Sequence, residues 1–150
     1  MKTIFHSFIF TIAALTMLSG CGKDGDKTAP VTTEPALTQL SDIVGAPDRR
    51  GLVGRQVDIN NAPVQGVVGN YVFWAGEATG QIPVVREDKL KGPITEHVRT
   101  GEKIRMVGTI QLVSNIAAND RIWETVNATE KAQILSATVY IAADSVQVHH

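Results

Sequence analysis

The part of the chain from Gly51 to His150 is divided into short apolar runs separated by turn residues. Lys103–Leu112 shows this most plainly, because apolar side chains recur at every second position and Gly108 occupies one of those positions. A period of two residues is that of a β-strand with one buried face. A glycine inside such a strand indicates a bend or the close approach of another backbone. The sequence therefore predicts a β-rich domain over residues 51–150.

The first strands of this domain follow from the same pattern. Residues 53–68 alternate as one long strand, which Asn60-Asn61 interrupts, and this predicts a β-bulge. Gly69-Asn70 predicts a tight turn. The next two strands are predicted at residues 71–74 and 82–85.

The end of the chain supplies a helix and further strand material. Asn127 and Glu130 have the spacing of a capping box, with Asn in place of Ser or Thr, and predict a helix over residues 128–137. Residues 139–148 complete the strands. Five strands, the first long and bent, predict a small closed barrel with one late helix, since closure removes exposed strand edges.

Several segments carry a resemblance to a known class of domain. They are Gly54–Val57, Val64–Asn70, Tyr71–Gly76, Gly101–Ile110 and Val139–Val146. Together they resemble the OB-fold-like domains of small bacterial envelope proteins. The resemblance implies a mainly β fold, a five-stranded OB-like barrel, and brings no known active site with it. A small SH3-like or PRC-like barrel is the alternative.

A separate signal lies at the N-terminus. After Lys2, the run Phe8–Leu18 is almost wholly apolar, which matches a signal-peptide core and is shorter than the roughly 20 residues of a spanning helix. Leu18-Ser19-Gly20-Cys21 resembles the lipobox of bacterial lipoproteins. That resemblance implies cleavage before Cys21 and a lipid on its sulfur, which makes the membrane a partner. A retained membrane anchor and an ordinary signal peptide with a chance cysteine are the alternatives.

Residues 21–50 are small, charged or proline-rich at their start, which predicts a flexible, disordered tether. Leu37, Leu40 and Val44 recur at helical spacing, so residues 37–44 are either a short amphipathic helix that packs back on the domain or a solvated strand. The predicted organisation is thus a signal peptide (1–20), a lipidated N-terminus with linker (21–50) and a barrel (51–150). Gly22 in place of Asp after the cysteine resembles the outer-membrane default. We expect a cell-envelope location, on the outer membrane facing the periplasm in a Gram-negative cell.

Candidate ligand residues come from the OB-like interpretation. OB barrels bind oligomers across strands two and three, where aromatic rings stack. Tyr71 and Phe73 are expected on one face of the second strand and Trp74 on the other, with Phe73 in the core. Arg86 and Arg105 belong to a basic group that acidic residues dilute, which suits either an anion site or a solvated surface: Arg86, Lys89, Lys91, Arg99, Lys103 and Arg105. The candidate ligand face is therefore Tyr71, Trp74, Arg86 and Arg105.

Other side chains give little support to catalysis. His97 beside Glu96 is interpreted as a solvated loop histidine, His149-His150 as a chain end, and Trp123 as a lid on the barrel. The single cysteine excludes an intrachain disulfide. No metal site, cofactor or catalytic group is predicted.

The charge balance bears on partners. From residue 51 onward, nine Lys and Arg residues face ten Asp and Glu residues. Nucleic acid is disfavoured, because binding to its phosphates normally requires a basic excess. The sequence predicts a non-enzymatic binding or scaffolding module, whose partner is another envelope protein or a cell-wall polymer. An OB-type oligosaccharide-binding protein is the alternative.

Overall fold

The fold is described from a computed structural model, for residues 34–86 and 98–149. The elements in chain order are α1 (Leu40–Val44), a 3-10 turn (Arg50–Leu52), β1 (Gln56–Val68), β2 (Val72–Glu77), β3 (Gly80–Arg86), β4 (Lys103–Leu112), α2 (Ser114–Ala117), α3 (Asp120–Trp123), α4 (Ala128–Ser136) and β5 (Val139–Val148). Several predictions lie outside the described residues: those for the signal peptide, Cys21, the tether up to residue 33, Lys89, Lys91, Glu96, His97 and His150.

The five strands form a closed barrel in the order β1-β2-β3-β5-β4. Neighbours are antiparallel except β3 and β5, which run parallel. The long first strand has two partners, because its first half pairs with β4 and its second half with β2. The prediction of a mainly β, five-stranded OB-like barrel is confirmed.

The bend in β1 comes from two breaks in its ladders. Against β4, the two residues Asn60 and Asn61 stand between the paired positions Ile59 and Ala62, while β4 has a single residue in that interval. Asn61 adopts a left-handed backbone with a φ of 57°. A second irregularity lies on the β2 side, before Gly66. The predicted bulge is confirmed at Asn60-Asn61.

Gly108 allows β5 to lie close against β4. The side chains of Ile104, Met106 and Ile110 are buried on the same face of β4. A Cβ at Gly108 would overlap the carbonyl oxygen of Ala142 and approach the Cα of Ala143 at 2.9 Å. The predicted close backbone approach is therefore present, and the register of β4 with β5 changes at this point.

The barrel interior is filled by aliphatic side chains and one aromatic ring. Its buried members, the inner cluster, are Ile43, Val57, Ile59, Ala62, Val64, Phe73, Ala75, Ile82, Val84, Val98, Ile104, Met106, Ile110, Val139, Ile141 and Ala143. Burying such a side chain stabilises the fold by roughly 1.5–3 kcal/mol. Within the described ranges, no charged or hydrophilic side chain is buried.

Residues 34–44 form a strap along the barrel, although sequence analysis places them in the linker. The N–H of Leu37 donates to the carbonyl of Gln56 at 2.9 Å, and the N–H of Asp58 donates back to the carbonyl of Leu37 at 2.9 Å. Ile43 on α1 is fully buried in the inner cluster. The apolar residues spaced along the strap pack against the barrel, which explains the difference. The interpretation as a helix packed on the domain holds for residues 40–44, whereas Leu37 is extended but packs against the barrel and is not a solvated strand.

Three short helices separate β4 from β5, whereas the sequence predicts one. The predicted helix is α4, and its capping box is present: Asn127 Oδ1 accepts from the Glu130 N–H at 2.9 Å, and the Asn127 N–H donates to Glu130 at 3.2 Å. Helices α2 and α3 have four residues each, too few to show a helical repeat in sequence. In the described part of the chain, no helix has the length and apolar character needed to cross a membrane.

Gly108→Ala should destabilise the protein by about 1–3 kcal/mol, because its methyl group has no room beside the β5 backbone. The matched control is Gly66→Ala, since a Cβ there meets nothing within 4 Å. We expect the control to change stability by about 0.5 kcal/mol or less. Urea unfolding midpoints of the two variants measure the difference. Equal midpoints would contradict the close packing at Gly108.

Candidate functional site

The outer faces of β2, β3 and β5 form one apolar surface. Phe73, Val84 and Ile141 point into the barrel, so their chain neighbours point outward. Val72 pairs with Val85, and Val85 pairs with Ala142. These outward side chains are nevertheless buried, as is Tyr140. Another part of the protein must cover this surface.

The covering segment is the connection between β4 and β5, residues 113–138, here called the β4–β5 cover. Its apolar side chains share one outer cluster with those of the sheet: Val68, Val72, Val85, Val113, Ile116, Ile122, Trp123, Ile134, Tyr140 and Ala142. The N–H of Val113 donates to the carbonyl of Thr138 at 3.3 Å and closes the base of the cover. The Trp123 indole N–H donates to the carbonyl of Ile116 at 3.1 Å.

The cover also contacts the β1–β2 turn. Gly69 has a φ of 59°, and a Cβ at this residue would lie 2.7 Å from atoms of both Thr125 and Val126. The N–H of Asn70 donates to the Thr125 hydroxyl oxygen at 3.0 Å. In OB barrels, the loops after β1 and β4 flank the oligomer-binding face. Here those two loops touch each other, and much of that face is filled by the protein's own chain.

Tyr71 lies on the outer side of the barrel, so the expectation that it shares a face with Phe73 is wrong. Phe73 is in the inner cluster, whereas Tyr71 precedes β2 and packs against the outer cluster. The guanidinium carbon of Arg121 lies 5.4 Å from the centre of the Tyr71 ring, and Arg121 Nε donates to the Tyr71 hydroxyl at 3.1 Å. A cation already contacts the ring that was expected to stack on ligand.

Trp74 is partly exposed. It faces outward, opposite to Phe73 as predicted, and is only partly buried against the outer cluster. Its cross-strand neighbours are Gly66 and Pro83. The space beside Gly66 is empty to 4 Å where a Cβ would stand.

The two candidate arginines lie in different parts of the barrel. Arg86 ends β3, and its backbone N–H donates to the carbonyl of Tyr71 at 2.9 Å, so the two backbones are adjacent at this end of β3. Arg105 is on β4, whose partners are β1 and β5. The structure thus brings Tyr71, Trp74 and Arg86 to the β2–β3 side and places Arg105 away from them.

Arg105 forms a bidentate ion pair with Asp58 on β1. Arg105 Nε lies 3.0 Å from one carboxylate oxygen of Asp58, and Arg105 Nη2 lies 2.9 Å from the other. The hydrogen bond from Arg105 lowers the pKa of Asp58 below its ordinary value of 3.8. The same bond raises the pKa of Arg105. The geometry fixes the arginine on the outer surface beside the bulge of β1.

Two of the remaining sequence candidates, Trp123 and His149, lie within the described residues. Trp123 is buried on the barrel wall with the Lys131 ammonium 5.0 Å from its ring centre, which agrees with a packing role. His149 is exposed, and its N–H donates to the carbonyl of Lys103 at 3.0 Å. Residues 34–86 and 98–149 contain no group of three or more His, Cys, Asp or Glu side chains that could hold a metal ion.

Comparison with known proteins gives no family: no protein-family model matches the chain, and neither does any curated protein. Sequence reasoning missed the cover and its Arg121 contact. The available signal was Ile82–Val85, where consecutive positions are all apolar or proline rather than alternating. Such runs are typical of strands buried on both faces.

Asp58→Asn should remove part of the acid sensitivity of folding. Because the pKa of Asp58 is lowered in the folded state, its stabilising effect is present above about pH 4 and is lost as pH falls below that value. Urea unfolding of wild-type protein and the variant from neutral to acidic pH measures this loss. Arg105→Gln should remove the same part of the acid sensitivity. The double variant should be no less stable at neutral pH than the less stable single variant. Independent, additive effects would contradict a shared ion pair.

Proposed function

We propose that this protein is a lipid-anchored, non-enzymatic binding module of the bacterial cell envelope. Its barrel presents a recognition surface close to a membrane, to another envelope protein or to a cell-wall polymer. The observation that carries the proposal is the lipobox-like Leu18-Ser19-Gly20-Cys21 at the end of an apolar run of signal-peptide length.

The strap supports a mechanical role for the segment that follows the cysteine. Its first residues are held by Arg55, the residue before β1: Arg55 Nη2 donates to the carbonyl of Pro35 at 3.0 Å, and Arg55 Nε lies 3.3 Å from the Glu34 carboxylate. Twelve residues, 22–33, separate Cys21 from this attachment. A linker of that length spans about 20 Å by random-coil scaling. A barrel attached to lipid in this way would stay near the membrane surface.

The packing of the barrel supports binding by a rigid surface. Inner and outer clusters fill both sides of β2, β3 and β5, so these strands are held from two directions. A rigid scaffold reduces the ordering cost of recognition, since few side chains need to be immobilised on binding. The nearly balanced charge of the barrel residues favours a neutral partner over nucleic acid.

The proposed location follows from the residue after the cysteine. Gly22 stands where an aspartate would favour the inner membrane, so the proposal places the protein on the outer membrane of a Gram-negative cell, facing the periplasm. Two or more acyl chains hold a protein stably on a bilayer, whereas one chain holds it only marginally.

Cys21→Ser should abolish incorporation of palmitate and release the protein from the membrane fraction, because the acceptor sulfur is gone. The measurement is metabolic palmitate labelling followed by membrane fractionation of intact cells. Ser41→Ala, an exposed change in the strap, is the matched control and should keep the label. A labelled, membrane-bound Cys21→Ser protein would refute the anchor.

The binding part of the proposal has its own readout in the same cells. Crosslinking followed by purification of the wild-type protein should return the same partner in independent preparations, and the Cys21→Ser protein should return less of it. If the anchored protein returned no reproducible partner, the role as a binding module would be refuted while the anchor stood.

The second candidate function is oligosaccharide binding on the β2–β3 face, favoured by the partial exposure of Trp74 and the empty space at its cross-strand neighbour Gly66. Exposed aromatic rings are typical stacking platforms for sugars and bases. A tryptophan fluorescence titration with glycan fragments tests it. A saturable change would support this function, and no change would remove it.

A further inference from the structure

The end of the barrel next to the strap contains a cleft of about 400 Å³. Its walls come from three segments: α1 of the strap, the bulge of β1, and the turn between β2 and β3. The volume lies in the usual range for small-molecule sites, roughly 300–1,000 Å³. This cleft is separate from the aromatic face, since neither Trp74 nor Trp123 lines it.

The cleft combines apolar and polar linings. Ile59 and Ala62 are buried, and Leu40 and Val44 are partly buried, so these four side chains supply an aliphatic surface. Exposed polar side chains surround it: Gln39, Ser41, Asn60, Asn61, Glu77 and Thr79. The lining is thus about equally apolar and polar. Small-ligand sites combine an apolar surface with polar groups that fix the orientation of the ligand.

The β-bulge places two amides beside the cleft. Asn60 and Asn61 occupy the extra-residue position between the inward-facing Ile59 and Ala62, and both are exposed. The left-handed φ of Asn61 turns the chain at this point. Bulges occur preferentially where a strand must re-aim a side chain near a functional site.

The chemistry of the lining selects a class of ligand. Three amides and two hydroxyls can each donate and accept hydrogen bonds, which matches the hydroxyl groups of a sugar. Among the described residues, no Lys, Arg or His lines the cleft, and Glu77 would repel an anion. The barrel is closed, so an extended peptide has no free barrel edge here to pair with. We infer that the cleft between α1, the Asn60-Asn61 bulge and the β2–β3 turn binds a neutral saccharide.

This inference rests on the proposed role as a binding module and gives that module a site and a ligand class. It also links the site to the anchor, because α1 belongs to the strap that continues from the linker. Saccharide binding is measured on the purified protein, and palmitate labelling is measured in cells. The saccharide site can therefore be refuted while the lipid anchor stands, and the anchor can be refuted while the site stands.

The test uses the full chain as its cells process it, purified in detergent micelles, with N,N′-diacetylchitobiose as the neutral probe. Asn61→Gly removes one amide and keeps the left-handed backbone, which glycine adopts freely. Asn60→Ala removes the other. Gln133→Ala, an exposed amide on α4 outside the cleft, is the matched control. Titration calorimetry gives the affinities, indole fluorescence is recorded alongside, and thermal melts confirm that each variant is folded.

We expect saturable binding of the probe to the wild-type protein. The affinity should be about fivefold weaker in Asn61→Gly and in Asn60→Ala, because each substitution removes one hydrogen bond to the sugar. The affinity of Gln133→Ala should be unchanged. Indole fluorescence should not change. If Asn60→Ala fails to fold, Asn61→Gly carries the test. No saturation at millimolar probe would overturn the inference, as would tighter binding of glucose 6-phosphate. A fluorescence change with unaltered affinity in Asn61→Gly would place the sugar on Trp74 and also overturn it.

Discussion

Closure of the barrel depends on a short parallel pairing between β3 and β5, three residues on each strand: Val84–Arg86 and Ile141–Ala143. The strand β5 also pairs with β4 along its whole length, so it must fit between two neighbours. Gly108 makes that fit possible, because any Cβ would meet the carbonyl of Ala142. Once β5 is in place, its outward residues continue the apolar row of β2 and β3. That row requires a cover, and the connection leading into β5 supplies it.

The cover changes which surfaces are open for recognition. In an OB barrel the β2–β3 face and the loops after β1 and β4 receive the ligand. Here Trp123 and its neighbours occupy much of that face, and Arg121 contacts Tyr71. Uncovering Val72 and Val85 would cost roughly 1.5–3 kcal/mol for each side chain, so a ligand would have to offset that loss. The proposed saccharide cleft lies elsewhere, at the strap, and requires no such rearrangement.

Local patterns predicted the strands but not their outer contacts. The alternation around Gly108 and the capping spacing at Asn127 are short-range features, and both are present in the structure. The face of Tyr71 was predicted wrongly because the Gly69 turn, not the strand period, sets its direction. Arg105 was grouped with Arg86 by sequence proximity, whereas strand order separates them. The strap, the cover and the cleft depend on contacts between distant segments. The apolar run Ile82–Val85 indicates that both faces of β3 are buried, and the spacing of Leu37, Leu40 and Val44 allows a packed helix, but neither pattern identifies the segment in contact.

The central claim, that the chain fills its own β2–β3 face, is tested most directly by NMR of the methyl groups with a soluble paramagnetic agent. Val72 and Val85 have no exposed surface, whereas Val53 is 40% and Leu135 37% exposed. If the cover fills this face, the agent broadens the signals of Val53 and Leu135 and leaves those of Val72 and Val85 sharp. Equal broadening of all four would show that the face is open to solvent.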